Sequence, residues 1–207
     1  MQNRINYHKE LEKEIKKWSE KNICPTILLH CCCAPCSSYC MEFLSKYSKI
    51  TAYYYNPNIT DKEEYEHRVR ELERLINEMP MLNKAEFLEG EYEPSCFFEI
   101  SKGLEKEPER GKRCKKCYEM RLRKTAEEAA RYGYDYFTTT LTISPLKDAE
   151  ILNSLGKKLE EEYGVKYLLS DFKKNGGYQR SIELSREYNL YRQNFCGCGF
   201  SRINQGG

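Results

Sequence analysis

The stretch Thr26-Ile-Leu-Leu-His-Cys-Cys-Cys-Ala-Pro-Cys36 decides the fold of this chain. Its first five residues form a short apolar run bounded by Pro25, which is typical of a buried β-strand. Thiols follow at once, and Pro35 suits the first turn of a helix. The stretch therefore predicts a strand, a functional turn and a helix. In α/β sheets, ligands bind beyond the carboxyl ends of strands.

Strand-like and helix-like segments alternate along the rest of the chain. We predict further strands over 50–55, 85–88, 135–140 and 165–169, and helices after Thr60 and over 92–103, 114–132 and 147–163. Thr60 is expected to cap its helix, with Glu63 completing a capping box. This alternation favours an α/β fold with a parallel sheet and helices on both faces. If the first strand is central, residues 31–36 lie where the strand order reverses.

Length and composition fit one soluble domain. The chain has 207 residues, of which 40% are hydrophobic and 32% charged, and its formal net charge is +2. We predict a single catalytic domain over 1–207, with a peripheral helix over 1–22 and a C-terminal segment over 171–207 that carries metal ligands. No run approaches the roughly 18 apolar residues of a membrane span. The start also lacks a signal-peptide pattern, so we expect a cytoplasmic protein.

Eleven cysteines are unusual in a reducing compartment, where structural disulfides are rare. Clustered thiols there usually hold metal or carry out redox chemistry. Seven fall into three groups: Cys32, Cys33 and Cys36 after the first strand, Cys114 and Cys117 at a helix start, and Cys196 and Cys198 near the end. Three others are expected to be core or surface residues, Cys24, Cys40 and Cys96. Cys31 extends the first group and could belong to either class.

The spacing within the groups favours metal binding. Cys114 opens a basic helix, where backbone N–H groups and the helix dipole favour a thiolate. The glycine between Cys196 and Cys198 lets the backbone approach an inorganic core closely. The side chains of adjacent Cys32 and Cys33 are expected to diverge, which suits two neighbouring metal centres better than one small ion.

The identity of the metal stays open at this level. Soft thiolates select zinc or iron-sulfur clusters. A structural zinc site with four cysteine ligands would leave three of the seven grouped thiols unused. The excess favours a cluster, alone or with a second metal.

Several motifs together resemble one known family. They are Leu28-Leu-His30 with Cys32-Cys-Ala-Pro-Cys36, Tyr54-Tyr-Asn-Pro-Asn-Ile59, Arg113-Cys-x-x-Cys-Tyr-x-x-Arg121, Thr138 to Pro145, Asp171-Phe-Lys-Lys174, Gly177 to Ser185, Tyr188 to Gln193, and Cys196-Gly-Cys198. The combination covers nearly all of residues 26–203 and resembles the epoxyqueuosine reductase QueH family.

The resemblance implies an activity and its cofactors. The activity is removal of the epoxide oxygen from epoxyqueuosine at the wobble position of tRNA, without cobalamin. The implied fold is HUP-like, a Rossmann-like parallel sheet. The implied cofactors are a 4Fe-4S cluster and a neighbouring mononuclear iron. On this basis all seven grouped cysteines are expected metal ligands, and the cluster is expected on Cys32, Cys33, Cys114, Cys117, Cys196 and Cys198.

The chemistry of the implied reaction agrees with a redox cofactor. Removing an epoxide oxygen takes two electrons and two protons, and no side chain supplies electrons. A cluster passes single electrons from an external donor, here expected to be ferredoxin- or flavodoxin-like, and an iron can bind oxygen as a Lewis acid. We expect the reacting groups to be Cys32, Cys36, His30 and Asp171, the last two as proton donors. His30 could instead be a buried structural histidine whose ring nitrogens are hydrogen-bonded. Asp171 could instead lie beside the metal or cap a helix.

A tRNA partner is expected to meet a local basic patch. Residues 110–124 hold eight Lys or Arg and one acid, although such runs are often only a solvated helix face. Tyrosines could stack the wobble base and its neighbours. The candidate substrate or tRNA contacts are Tyr55, Asn56, Arg113, Arg121, Thr140, Ser144, Tyr178, Arg180, Tyr191, Arg192 and Gln193.

Other functions compete with this interpretation. A 4Fe-4S sulfonucleotide reductase also has adjacent cysteines and a C-x-x-C pair, but it should carry a glycine-rich phosphate loop, and residues 31–36 contain no glycine. A zinc-stabilised tRNA-binding module without catalysis is a second alternative. A ferredoxin-like carrier would need far less structure around its cluster.

Overall fold

Five parallel strands form the centre of the protein, in a computed structural model that describes residues 5–203 and the side chains of residues 5–201. The predicted terminal segments 1–22 and 171–207 therefore lie partly outside the described residues. The strands are β1 (Thr26–His30), β2 (Lys49–Tyr54), β3 (Glu86–Glu89), β4 (Tyr136–Thr139) and β5 (Lys166–Tyr167). The helices are α1 (Tyr7–Glu20), α2 (Ala34–Leu44), α3 (Lys62–Glu78), α4 (Pro94–Ser101), α5 (Lys112–Tyr132), α6 (Ala149–Tyr163), α7 (Gly177–Glu187) and α8 (Gly199–Ile203).

The strand order β3-β2-β1-β4-β5 places β1 in the middle of the sheet. β1 pairs in parallel with β2 on one side and with β4 on the other. The chain adds strands outward from β1 through β2 to β3, then returns to the opposite side of β1 with β4. The order thus reverses between β1 and β4, which is where ligands bind in open α/β sheets. The predicted α/β fold with a Rossmann-like parallel sheet is confirmed.

Alternate residues of β1 face two separate cores. Ile27 and Leu29 belong to the core under α1, α2 and α3, whereas Leu28 belongs to the core under α5 and α6. Because side chains alternate along a strand, His30 points to the α5 side and Cys31 to the α2 side. Helices cover both faces of the sheet, and the hydrophobic run of β1 is fully buried for this reason.

The expected element boundaries hold within a few residues, with two differences. Asp61, not Thr60, caps α3, because its carboxylate accepts hydrogen bonds from the backbone N–H groups of Glu63 and Glu64. The prediction for Thr60 was wrong by one residue. Helix α7 was not anticipated; it packs closely on α2, and a Cβ at Gly177 would overlap the ring of Tyr39.

Helix α1 covers one face of the sheet. Leu11, Ile15 and Trp18 pack into the core, and Trp18 Nε1 donates a hydrogen bond of 3.1 Å to the hydroxyl of Tyr136. Between residues 5 and 203, no helix has the length and apolar character needed to cross a bilayer.

We expect Leu28→Ala to lower the free energy of unfolding by about 2–5 kcal/mol, since the substitution leaves a cavity in a fully buried part of the central strand. Leu82→Ala is the matched control, because Leu82 is 78% exposed and should change stability by less than about 0.5 kcal/mol. Urea unfolding of both variants measures the difference. Equal losses would contradict the assignment of β1 as the buried centre.

Candidate metal centre

The first thiol group lies at the carboxyl end of β1. The backbone N–H of Cys31 still bonds to the carbonyl of Tyr53, at 2.8 Å, and the chain then turns into α2 at Cys33. The Sγ atoms of Cys32, Cys33 and Cys36 all lie within 4.8 Å of one another. This group therefore offers three sulfur ligands at the point where the strand order reverses.

The spacing in this group also fits a single ion. The Sγ atoms of Cys32 and Cys33 are 3.8 Å apart. A tetrahedral ion with metal–sulfur bonds of about 2.3 Å has ligand sulfurs roughly 3.8 Å apart. The expectation that these neighbouring side chains diverge is wrong, because the chain bends at Cys32 and does not continue as a strand in which side chains alternate.

A second group collects the four remaining predicted thiols. Cys114 and Cys117 lie in the first turns of α5, and Cys117 and Cys198 share a small buried cluster with Phe97. The charges of Cys196 and Cys198 both act on Cys114, which places all four thiols in one neighbourhood. Residues more than 80 positions apart in sequence are thus brought together.

The loop with Cys196 is fastened to the loop after β2 and to α3. The carbonyl of Cys196 accepts hydrogen bonds from Asn58 Nδ2 at 3.4 Å and from Arg68 Nη1 at 3.5 Å. The guanidinium of Arg68 also lies over the ring of Phe195. Gly197 has φ +98°, a conformation that favours glycine and explains the residue between the two thiols.

The first thiol group readily holds a negative charge. S–H donation from Cys33 and Cys36 holds the pKa of Cys32 well below its usual range. The same contact with Cys32 raises the pKa of Cys33 to about 11 and also raises the pKa of Cys36. Cys32 is therefore the thiolate of this group, and a cation bound there would be met by a ligand that is already charged.

Two buried or half-buried cations face the thiols. Arg121 is 2% exposed, and against the effect of its burial the charges of Cys117, Cys32 and Cys196 raise its pKa. Lys147 responds in the same way: burial opposes its charge, but Cys196, Cys32 and Cys36 raise its pKa. The site thus pairs thiolates with fixed positive charge on both sides.

His30 is held in a buried network beside the thiols. Its Nε2 accepts a hydrogen bond of 3.2 Å from Arg121 Nε, and its Nδ1 lies 2.9 Å from Thr139 Oγ1. Burial and then the charge of Arg121 lower the pKa of His30 to about 3. A neutral, fully buried imidazole is not suited to donate a proton, so the structure favours the structural role for His30.

In the second thiol group the pKa values of Cys114 and Cys117 are raised, whereas the sequence suggested a thiolate at Cys114. Burial raises the pKa of Cys114 and raises the pKa of Cys117 to about 12. The backbone N–H of Arg110 does donate to Cys114 Sγ at 3.3 Å. Burial nevertheless outweighs the helix end, and the expected thiolate at Cys114 needs a bound metal to form.

A cavity of about 310 Å³, here called the thiol cavity, opens above the first thiol group. Many of the predicted residues line it: Cys32, Cys33, Cys36, Cys196, Asn56, Arg121, Ser144, Tyr178, Arg192 and Gln193. Thr140 lies behind this wall, where its hydroxyl accepts from the backbone N–H of Cys32 at 3.3 Å and lies 3.5 Å from Cys32 Sγ. Thr140 therefore contacts Cys32 and does not line the thiol cavity.

Two predicted substrate residues are buried away from the cavity. Tyr55 is 3% exposed and stacks on Tyr53, with ring centroids 6.1 Å apart. Arg113 is 1% exposed, and its Nη1 donates to the carbonyls of Leu104, Glu105 and Glu107. Neither side chain is available to a substrate or phosphate, so these two predictions are wrong.

Three more predicted residues have other partners outside the thiol cavity. Arg180 pairs with Glu42 at 2.5 Å, and the hydroxyl of Tyr191 donates to Glu64 at 3.2 Å. Asp171 forms an ion pair of 2.6 Å with Lys173 and lines a different cavity. The predicted reacting role of Asp171 at the thiols is not supported by this position.

Sequence reasoning missed three residues of the site. Lys147 lines the thiol cavity, and Asn58 and Arg68 both line it and hold the Cys196 loop. Asn58 lies in the Tyr54–Ile59 motif, and Lys147 follows the motif that ends at Pro145, so their positions in the sequence could have indicated a role in the site. Nothing in the sequence indicated such a role for Arg68, because it cannot be told from the other polar residues of an amphipathic helix.

The four cysteines outside the two groups lie in the core or at the surface. Cys40 is fully buried in the core and Cys24 is exposed, while Cys96 is partly exposed. Cys31 is also fully buried, on the α2 side of the sheet, and burial raises its pKa. The structure therefore assigns Cys31 to the core and not to the first thiol group.

We expect metal-depleted protein to bind Co²⁺ with a thiolate-to-cobalt charge-transfer band, because soft sulfur ligands meet at single-ion spacing. Cys36→Ser should weaken the affinity by at least the roughly tenfold typical of outer-shell losses, since it removes a direct ligand. Cys24→Ser is the control, because Cys24 is exposed and lies outside both groups. The same affinity in all three proteins would exclude this site.

Comparison with known proteins identifies the family. The family model described as epoxyqueuosine reductase QueH matches residues 27–204. An epoxyqueuosine reductase QueH from Staphylococcus epidermidis is 48% identical, over 98% of this chain and 87% of its own. Those from Streptococcus pyogenes and Thermotoga maritima are 43% and 36% identical, over 98% and 87% of this chain and 80% and 92% of theirs. The chain belongs to the epoxyqueuosine reductase QueH family.

Proposed function

We propose that this protein reduces epoxyqueuosine to queuosine at the wobble position of tRNA, the last step of queuosine synthesis. The thiol cavity carries the proposal. It joins a three-sulfur group, a cationic wall and a set of hydrogen-bonding side chains at the carboxyl edge of the central strand. Membership of a family whose members are named epoxyqueuosine reductases supports the substrate.

The seven grouped cysteines would hold a 4Fe-4S cluster and a neighbouring iron. Their donor set fits, because soft thiolates select iron-sulfur clusters. The sulfurs of Cys32, Cys33 and Cys36 lie within 4.8 Å of one another, and the charges of Cys196 and Cys198 act on Cys114. When bound, these centres supply single electrons from an external ferredoxin- or flavodoxin-like donor and a Lewis acid for the epoxide oxygen.

The side chains of the cavity would bind and orient one modified base. A volume of about 310 Å³ lies at the lower end of the range for ligand cavities and suits one base taken from the anticodon loop. Tyr178 is 37% exposed at the wall and offers a ring for stacking. Gln193 Oε1 is buried and has no hydrogen-bond partner among the described residues, so it is free to accept from a substrate N–H or hydroxyl.

Lys147 would stabilise charge on the leaving oxygen. Its ammonium faces Cys32, Cys36 and Cys196, in the wall of the same cavity. A fixed positive charge in a partly buried site stabilises the negative charge that develops when the C–O bond breaks. Neither His30 nor Asp171 is placed for this task, and Lys147 replaces them in the proposal.

One observation favours a second candidate function. The 3.8 Å spacing of Cys32 and Cys33 Sγ suits a zinc ion as well as iron, so a zinc-stabilised tRNA-binding module remains the alternative. The sulfonucleotide reductase alternative has lost its support, because the family model and the relatives all carry the epoxyqueuosine reductase name.

Anaerobic purification followed by iron, zinc and sulfide analysis should find four or more irons with matching sulfide, and iron beyond four for the second centre. We expect Cys36→Ser and Cys198→Ser each to lose one centre and keep the other, because their thiols belong to different groups. Loss of all iron in both variants would indicate a single shared centre. Zinc without sulfide, and no epoxide reduction, would leave the binding-module alternative.

Gln193→Leu should raise KM for epoxyqueuosine tRNA by about tenfold, since losing one hydrogen bond to a substrate costs about 1 kcal/mol or slightly more. Iron content is measured in parallel, because Gln193 also hydrogen-bonds to Cys33, one of the expected ligands. Gln179→Leu is the control, because Gln179 is exposed on α7. Steady-state kinetics with both variants tests the role of Gln193; an unchanged KM at normal iron content would remove it from the binding site.

A further inference from the structure

A second and larger cavity adjoins the thiol cavity. Its volume is about 730 Å³, and it lies between the start of α1, the first turns of α5 and α6, and residues 171–174. Pro145, Leu146 and Lys147 line both cavities and form the wall between them. The two cavities are therefore adjacent, and a ligand in the thiol cavity lies next to the second cavity.

The lining of the second cavity is cationic. Among the described residues, five cationic and three acidic side chains line it. The acids are engaged: Asp171 pairs with Lys173, Asp148 accepts from the backbone N–H of Glu150 at α6, and Glu150 has a contact of its own. The described part of the chain offers no carboxylate within salt-bridge distance of Arg110, Lys115, Lys147 or Lys174.

Half of the eight cations in the basic run at 110–124 are buried or paired elsewhere. Arg113 and Arg121 are buried, Arg123 pairs with Glu162, and Lys124 pairs with Glu128. The cations that remain at the surface are near the start of α5, and two of them, Arg110 and Lys115, line the second cavity. Two of the four cations of this run that stay at the surface thus line the second cavity.

The wall between the cavities carries an apolar tip. Leu146 is 53% exposed, although it lies at the mouth of a charged site. Proteins that remove a base from a stack commonly insert an apolar side chain beside it. An exposed leucine between a base-sized cavity and a cationic cavity suits a nucleic acid strand that crosses the wall.

We propose that the second cavity binds the ribose-phosphate backbone of the nucleotide next to the one whose base enters the thiol cavity. The inference rests on the proposed function for the identity of that base. Lys115 and Lys174 contact phosphate from the open side, and Lys147 lies between the two cavities. The ligand is single-stranded RNA of the anticodon loop, because only an unpaired base can leave the stack and enter one cavity while the adjacent backbone lies in the other.

Binding of a fluorescently labelled anticodon stem-loop RNA to the metal-loaded protein tests this inference without any turnover. Lys115→Ala and Lys174→Ala should each weaken binding several-fold at low salt. Each should also reduce the slope of log affinity against log salt by about 0.7 to 1, the effect of losing one phosphate contact. Lys49→Ala removes the same charge at the opposite end of the sheet, where β2 begins, and should change neither quantity.

The outcomes separate this inference from the proposed function. Lysine variants that bind RNA like Lys49→Ala would overturn the inference, whether or not the protein reduces its substrate. Unchanged RNA binding with slower reduction of the metal centre by a reduced acidic flavodoxin would assign the cavity to the electron donor instead. Normal lysine-dependent binding without epoxide reduction would contradict the proposed function and leave the backbone site in place.

Discussion

The buried guanidinium of Arg121 is the interaction on which the site depends. It donates to His30 at the end of β1 and, through Nη2 at 2.5 Å, to Asn56 Oδ1 after β2. Asn56 in turn donates to the carbonyl of Cys31 at 2.9 Å. Burying an ion is costly unless it is paired, and the described residues place thiols, not a carboxylate, beside this one. The thiols proposed to hold the metal would therefore, once deprotonated, also be the counter-charges that allow Arg121 to be buried.

The topology explains how thiols that are distant in sequence meet at this charge. The switch in strand order puts the end of β1 next to the start of the loop after β4, so Cys32 lies against Thr140. Helix α5 crosses the same edge and brings Cys117 and Arg121 one turn apart on one face. Arg68 and Asn58 then fasten the Cys196 loop to the remaining side. The thiols are carried by three different segments, and side-chain hydrogen bonds from Arg121, Asn58 and Arg68 tie α5 and the Cys196 loop to their neighbours.

The sheet and the clustered thiols could be predicted from local sequence patterns. The environments of individual side chains could not, because they depend on how distant elements pack. The apolar run of β1, the proline in the first turn of α2 and the clustered thiols predict the sheet and the metal site, because each signal is local. Arg113 and Arg121 look alike in sequence, but only the packing of α5 shows that one holds carbonyls and the other faces thiols. Tyr55 and Tyr191 likewise read as stacking platforms, although the fold uses one as core and the other as a hydrogen-bond donor to Glu64.

The division of positive charge connects the metal site with an RNA partner. A chain with a net charge of only +2 cannot attract a polyanion by its overall field, so the binding charge must be local. Buried cations such as Arg121 cannot supply it, because their field is matched by the thiolates beside them. Lys147 belongs both to the cations beside the thiols and to the cations open to RNA, since it faces the thiols and also lines the second cavity. An RNA backbone drawn to the surface lysines would therefore bring its neighbouring base to Lys147, which lines both cavities and also faces the thiols.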